Sequence, residues 1–395
     1  MRKLVTCILF SLLLLPSITQ AKSGLQHLSQ LKNAGLLMLD PQGKALVSRS
    51  PNKAYIPAST TKLVTAWLAL NHFKGGEQYR FKTPFFWNPK TRTLFVKGTG
   101  DPFLVSEEIQ LIAQRLKQKG IQQVDTIVLD SSFFQQNIIM PGTGKTNNPY
   151  DAVPSALAVN FNTVNVRKVR GKIQSAEAQT PLADYARKMG KRFNKGKLRV
   201  NTGRDPRNAE LYFGEILRAL LRQSGIKVGN RIVSGQAPNQ APFYTHVNSK
   251  NLGEMIRPML KYSTNFIANQ MVLVMSAEHY QRSANRVDVQ RYMHEKLAQK
   301  FQWQNFKLQD GAGLSRANRL SPKQLVELLQ SFRQWKHLLP EIEPRVFAKS
   351  GTLNKVSTLA GFIEDGGQLK PFALMMNQSV PSKLRNKIAR ELARR

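Results

Sequence analysis

Pro57-Ala58-Ser59-Thr60-Thr61-Lys62-Leu63-Val64-Thr65-Ala66-Trp67-Leu68-Ala69-Leu70 is the stretch on which the reading of this chain turns. Pro57 leads into a helix over Ser59 to Leu70, with Leu63, Ala66, Trp67 and Leu70 along one apolar side. Ser59 and Lys62 stand three residues apart and so share a face of it. A serine hydroxyl is a poor nucleophile until a base takes its proton. A lysine can be that base only where burial or neighbouring positive charge lowers its pKa from about 10.4. The start of a helix also presents free backbone N–H groups, which suit an oxyanion. Taken alone, Ser59 would more often be a helix cap than a nucleophile.

Two further signatures change that balance. Ser263-Thr264-Asn265 precedes an apolar helix carrying Phe266, Ile267, Met271 and Val272. From a loop or helix start, Ser263 can relay a proton to a leaving group, and Asn265 can orient Lys62 or a substrate amide. Lys349-Ser350-Gly351-Thr352 follows Val346-Phe347 into a strand region. Lys349 can hold a substrate carboxylate, and the hydroxyls of Ser350 and Thr352 can add hydrogen bonds. Gly351 lets a substrate backbone come close. The expected catalytic residues are therefore Ser59, Lys62 and Ser263, with Asn265, Lys349, Ser350, Gly351 and Thr352 binding substrate.

Outward from these motifs, Gly35–Leu39 and Ala45–Val47 read as a hairpin across the turn Asp40-Pro41-Gln42-Gly43. Thr358–Ile363 and Phe372–Met376 read as two more strands, joined at Asp365-Gly366-Gly367. Ser382–Arg395 is a basic amphipathic helix with Leu384, Ile388 and Leu392 on its apolar side. That stripe suits a core face better than a membrane surface. The middle differs in texture, with short strand-like runs at 93–97 and 126–129 and a helix over Ala209–Ser224. The simplest architecture is one domain built from both chain ends, 22–77 and 245–395, with 78–244 inserted into it.

The chain of 395 residues opens with Arg2 and Lys3, an apolar run from Leu4 to Pro16 and a small-residue end at Thr19-Gln20-Ala21. This is the layout of a signal peptide cleaved near Ala21, and predicts an exported, periplasmic protein. Cys7, the only cysteine, lies within it, which leaves the mature chain without disulfides or thiolate metal sites. Lys and Arg number 59 against 24 Asp and Glu, a formal charge of +35. Such a field favours polyanions, and export points away from nucleic acid towards an anionic cell-wall polymer or a membrane surface. Tyr185 to Arg204 holds eight basic residues and no acidic one, and reads as a flexible, exposed surface or simply a solvated face.

Ser59-x-x-Lys62, Ser263-x-Asn265 and Lys349-Ser350-Gly351 together resemble the S-x-x-K, S-D-N and K-T-G set of penicillin-binding proteins and serine β-lactamases. The step of 201 positions from Lys62 to Ser263 narrows the resemblance to the penicillin-binding protein 4 family of D-alanyl-D-alanine carboxypeptidases (peptidase family S13), which carries a large insertion there. Gly98-Thr99-Gly100-Asp101-Pro102, the stretch Tyr150–Val166 and Asp310-Gly311-Ala312-Gly313-Leu314-Ser315 are similar to further segments of that family. Ser350 replaces the usual Thr, Thr264 stands where Asn is common, and Asn269 where Glu is. The insertion is somewhat short, so one of the family's two inserted domains is expected to be reduced.

The resemblance implies an α/β (α+β) penicillin-binding protein/β-lactamase-like transpeptidase fold, an antiparallel sheet flanked by helices, with a large and mostly β insertion. It implies attack by Ser59 on a D-alanine carbonyl of a peptidoglycan stem peptide and release of the acyl-enzyme by water. The backbone N–H groups of Ser59 and Thr352 would form the oxyanion hole, Lys349 would bind the terminal carboxylate, and β-lactams would acylate the same serine. No cofactor or metal is called for. The six histidines lack the spacing of a zinc D,D-peptidase. A non-catalytic cell-wall or polyanion binder is the alternative. Carboxypeptidase and endopeptidase action use the same groups and stay open.

Overall fold

The computed structural model describes residues 23–194 and 196–395, so the signal segment, Cys7 and Lys195 lie outside the described residues. A six-stranded antiparallel sheet runs in the order Glu341–Glu343, Val346–Leu353, Val356–Asp365, Gln368–Met376, Ala34–Leu39 and Ala45–Arg49. Its inner strands Val356–Asp365, Gln368–Met376 and Ala34–Leu39 carry apolar residues on both faces because both faces are covered. Along Gln368–Met376 the side chains alternate: Phe372, Leu374 and Met376 pack with the terminal helices, Ala373 and Met375 with the larger helical core. Leu36 and Met38 divide from Leu37 in the same way.

The first face is covered by helices Gly24–Gln30 and Leu384–Leu392, which bury Leu28, Leu384, Ile388 and Leu392. The apolar stripe of the last helix is thus spent on the core, as its spacing suggested. Glu391 ties the two ends together by accepting from the N–H groups of Gly24 and Leu25 at 2.5 and 2.9 Å. Helices Thr61–His72, Leu252–Lys261, Asn265–Tyr280, Arg286–Phe301 and Pro322–Phe332 cover the other face. Thr61–Leu70 is buried on every side, not along one stripe, because neighbouring helices and the sheet enclose it.

Between the two ends of this layer lie two smaller sheets. One has five strands in the order Tyr244–Val247, Lys82–Asn88, Thr93–Lys97, Gln123–Asp130 and Lys227–Ser234, the last three parallel. Helices Ser106–Gln118 and Pro206–Gln223 lay Ile109, Ile112, Leu116, Phe213, Leu217 and Leu220 into its core. The other has three antiparallel strands, Lys172–Ser175, Thr163–Val169 and Gly196–Asn201, backed by helix Asp184–Gly190.

The described residues of the basic run at 185–204 form part of a helix and a strand. Helix Asp184–Gly190 buries Ala186 and Gly190, and strand Gly196–Asn201 buries Val200 and Asn201, while Arg187, Lys188, Lys191, Arg192, Lys197 and Arg199 stay exposed. Counting charge alone hid these apolar and small anchors. Among the described residues no helix is long and apolar enough to cross a membrane.

Candidate active site

The chain enters the long buried helix through a tight 3-10 turn, Ala58–Thr60, so Ser59 sits one turn ahead of the α-helix rather than capping it. Lys62, on the first α-helical turn, is 0% exposed. Its ammonium finds three acceptors, one for each N–H: Ser59 Oγ at 3.1 Å, Asn265 Oδ1 at 2.8 Å and the Ala312 carbonyl at 2.7 Å. Two of these, an amide oxygen and a backbone carbonyl, can only accept. When the amine is neutral they hold its two remaining N–H groups, and the lone pair is left for the hydroxyl of Ser59.

The electrostatics favour that neutral form. Burial is the main force pushing the Lys62 pKa well below its ordinary value, and the nearby charge of Lys349 adds to it. The carboxylate of Asp310 opposes both, with a smaller effect. Burial raises Asp310 itself, but the N–H groups of Gly313, Leu314 and Ser315 and the Asn318 amide, at 2.6 to 3.2 Å, stabilise its charge.

Asp310 also shapes the site. By gathering those N–H groups it folds the 310–315 loop so that the Ala312 carbonyl faces Lys62. Gly313 has φ +81°, and a Cβ there would lie 1.9 Å from the Ala58 carbonyl oxygen. The loop therefore packs directly against the turn that carries Ser59. Asn269, where the resembled family often has Glu, accepts from the Gly311 N–H at 3.0 Å and braces the same loop.

Strand Val346–Leu353 forms the opposite wall. Its outer neighbour, Glu341–Glu343, pairs only with Val346 and Phe347, so the edge from Lys349 onward has no strand partner among the described residues. Such an edge can take up an extended substrate backbone. A Cβ on Gly351 would stand 2.8 Å from the Ser59 nitrogen and 2.3 Å from Thr358 Oγ1. Glycine is what allows this strand to lie against the turn that carries Ser59, and the contact puts the N–H of Ser59 beside Gly351.

Lys349 is buried, and its ammonium donates to the Ser350 carbonyl at 2.7 Å. Burial and the nearby Arg385 lower its pKa to about 8. Arg385, from the last helix, donates to the Gly351 carbonyl and Thr352 Oγ1, both at 3.1 Å.

Of the expected residues, Ser59, Lys62 and Asn265 are joined by direct hydrogen bonds, and Lys349, Ser350, Gly351 and Thr352 line the strand beside them. Ser263 is half-buried at φ +57°, two residues before Asn265, and makes no hydrogen bond to Ser59 or Lys62. Asp310, Ala312, Asn269 and Arg385 were not among the expected site residues. The 310–315 loop carried a motif signal, whereas a backbone carbonyl and an arginine on a distant helix leave none.

Residues 150–162 reach the site as well. The Tyr150 carbonyl accepts from Asn265 Nδ2 at 3.1 Å, and the Ser155 carbonyl from the buried Gln270 at 2.6 Å. Asn160, Phe161 and Asn162 run consecutively at positive φ, the two asparagines bonding to Ser106 and to Val153 and Ser155.

Comparison with known proteins places the chain in a family. The sequence model of the D-Ala-D-Ala carboxypeptidase 3 (S13) family matches residues 22–343, which hold Ser59, Lys62, Ser263 and Asn265 and stop just short of Lys349. D-alanyl-D-alanine carboxypeptidase DacB of Haemophilus influenzae is 25% identical over 92% of this chain and 89% of its own. A D-alanyl-D-alanine carboxypeptidase of Actinomadura is 24% identical over 84% of this chain and 75% of its own. The crystal structure of penicillin-binding protein 4 from Haemophilus influenzae superposes with a TM-score of 0.73 at 23% identity, covering 91% of this chain and 96% of that one. The same protein has been solved in complex with a β-lactam. A predatory peptidoglycan endopeptidase of Bdellovibrio bacteriovorus shares the fold at a TM-score of 0.54 and 16% identity, covering 91% and 90% of the two chains.

Proposed function

This chain belongs to the D-Ala-D-Ala carboxypeptidase S13 family, and from that premise we propose that it is a periplasmic D,D-peptidase whose nucleophile is Ser59. Neutral Lys62 takes the Ser59 proton as Oγ attacks the carbonyl carbon of the D-alanine preceding the scissile bond. The oxyanion is met by the backbone N–H groups of Ser59 and Thr352. The C–N bond breaks, and the departing amine receives a proton that Lys62 holds, relayed by Ser263. Water then attacks the Ser59 ester, Lys62 accepting its proton and returning it to Ser59 Oγ as the ester C–O bond breaks, and the shortened stem peptide leaves.

Lys349 binds the carboxylate of a terminal D-alanine as a charge-assisted hydrogen-bond donor, with Ser350 and Thr352 beside it. Removal of a terminal D-alanine and cleavage of a D-alanyl cross-link pass through the same acyl-enzyme. β-Lactams acylate Ser59 by the same route. The positive surface attracts anionic cell-wall polymer.

The observation that carries this reading is the buried Lys62, held by two acceptors that fix its N–H groups and leave Ser59 as its third partner. Lys62→Arg keeps a long basic side chain but stays charged, and so supplies no base at working pH. Acylation by a fluorescent penicillin should slow by about 10²- to 10⁴-fold. An unchanged acylation rate in a folded Lys62→Arg protein would remove Lys62 as the base.

A further inference from the structure

We propose that a basic cleft on the three-stranded lobe is a second binding site, which takes the free carboxylates of a neighbouring peptidoglycan stem peptide while the first lies at Ser59. The proposal rests on the reading of the chain as a peptidoglycan D,D-peptidase. The cleft has a volume of about 330 Å³ and opens between helix Asp184–Gly190 and the segments 145–147 and 201–208. Lys145, Lys188, Arg192 and Arg204 line it, together with Tyr185 and Asn201, and no acidic residue does.

The charge of these cations is not compensated locally. All four are exposed, and the acidic groups around them are engaged elsewhere. Asp205 pairs with Arg207 and Asp184 with Arg218. Asp151 is buried and accepts from the Gly144 N–H and the Thr146 hydroxyl. Glu215 accepts from the Tyr185 N–H. Among the described residues none of the four cations is in an ion pair. Four like charges gathered round one cleft repel one another, a cost that a bound anion relieves.

A short chain of contacts joins the cleft to the catalytic lysine. Asn201 donates to the carbonyls of Thr146 and Asn148 at 3.0 and 2.7 Å, and Asn148 donates to the Tyr150 hydroxyl at 2.8 Å. The Tyr150 carbonyl accepts from Asn265, which holds Lys62. Lys145 is five residues from Tyr150, so even fully extended chain separates them by at most about 18 Å. From Tyr150 the path to Ser59 continues through Asn265 and Lys62, and a cross-linked pair of stem peptides, longer than one stem alone, spans it. Carboxylates of the wall network itself are therefore the anions that can occupy the cleft and the Ser59 site together.

The test is the affinity for a cross-linked muropeptide dimer, measured in a Ser59→Ala background so that nothing turns over. Neutralising the cleft with Lys145→Gln, Lys188→Gln and Arg192→Gln should weaken dimer binding by roughly tenfold at low salt, with the difference fading as salt rises. Binding of a short N-acetylated peptide ending in D-Ala-D-Ala should not change. With Ser59 intact, the same triple variant should react with penicillin at the normal rate. A control that neutralises the exposed Lys32, Lys90 and Lys300 should leave dimer affinity as it was. Unchanged dimer affinity in the cleft variant, or an equal loss in the control, overturns the proposal. Failure of the underlying enzyme reading looks different, since the wild-type protein would then not react with penicillin.

Discussion

The proposed reaction gives two lysines of one site opposite duties. Lys62 must be neutral to accept a proton, and Lys349 must be charged to hold a carboxylate. Burial lowers both, and each is helped by a neighbouring cation: Lys349 for Lys62, Arg385 for Lys349. As pH falls through the lowered pKa of Lys62 the base is lost, so kcat/KM should drop on the acid side. As pH rises through about 8 the free enzyme loses the charge on Lys349, and KM for a carboxylate-ended peptide should climb. Lys349→Arg holds its charge far above that range and should move the alkaline limb upward, if with poorer binding. A pH–rate profile of the two proteins checks this, and an unmoved alkaline limb would assign it to another group.

At the level of elements, the site depends on how closely three segments approach: the Ala58–Thr60 turn, the 310–315 loop and the strand Val346–Leu353. Gly313→Ala places a methyl group 1.9 Å from the Ala58 carbonyl oxygen at a φ that alanine dislikes. We expect a loss of at least ~2 kcal/mol in unfolding free energy, together with slower acylation as Ala312 withdraws from Lys62. Denaturant unfolding and penicillin acylation rates measure the two effects.

These same elements mark what could be seen in the sequence. The hairpin at 34–49, the strands at 356–376 and the helix after Ser59 were legible because alternation, turn residues and helical spacing are local signals. Ser59, Lys62, Asn265 and Lys349 were legible because side-chain chemistry at fixed spacing narrows the choice. The Ala312 carbonyl was not, since any residue supplies one and only the fold aims it. Asp310 was visible as part of a motif, but its work is to gather N–H groups, and that emerges only with the loop's path. In the basic run at 185–204 the exposed cations match the solvated face that charge suggested, while the buried Ala186, Gly190 and Val200 that anchor its helix and strand left no such signal.

Over the whole molecule, the catalytic layer is closed by contacts between the chain's ends. Glu391 receives the first N–H groups of helix Gly24–Gln30, and Leu28 packs with Leu384, Ile388 and Leu392. Glu391→Ala should lower unfolding free energy by about 1–2 kcal/mol, seen as an earlier melting transition, with little effect on acylation. A larger loss of acylation than of stability would show that this clasp also tunes the site.

All of this converges on one hydroxyl. The most direct measurement is mass spectrometry of the intact protein and its peptides after exposure to a penicillin. The wild-type chain should gain the mass of one opened β-lactam, carried on the peptide containing Ser59, and the folded Ser59→Ala protein should gain none. An adduct on another residue, or an equal gain in Ser59→Ala, would contradict Ser59 as the nucleophile.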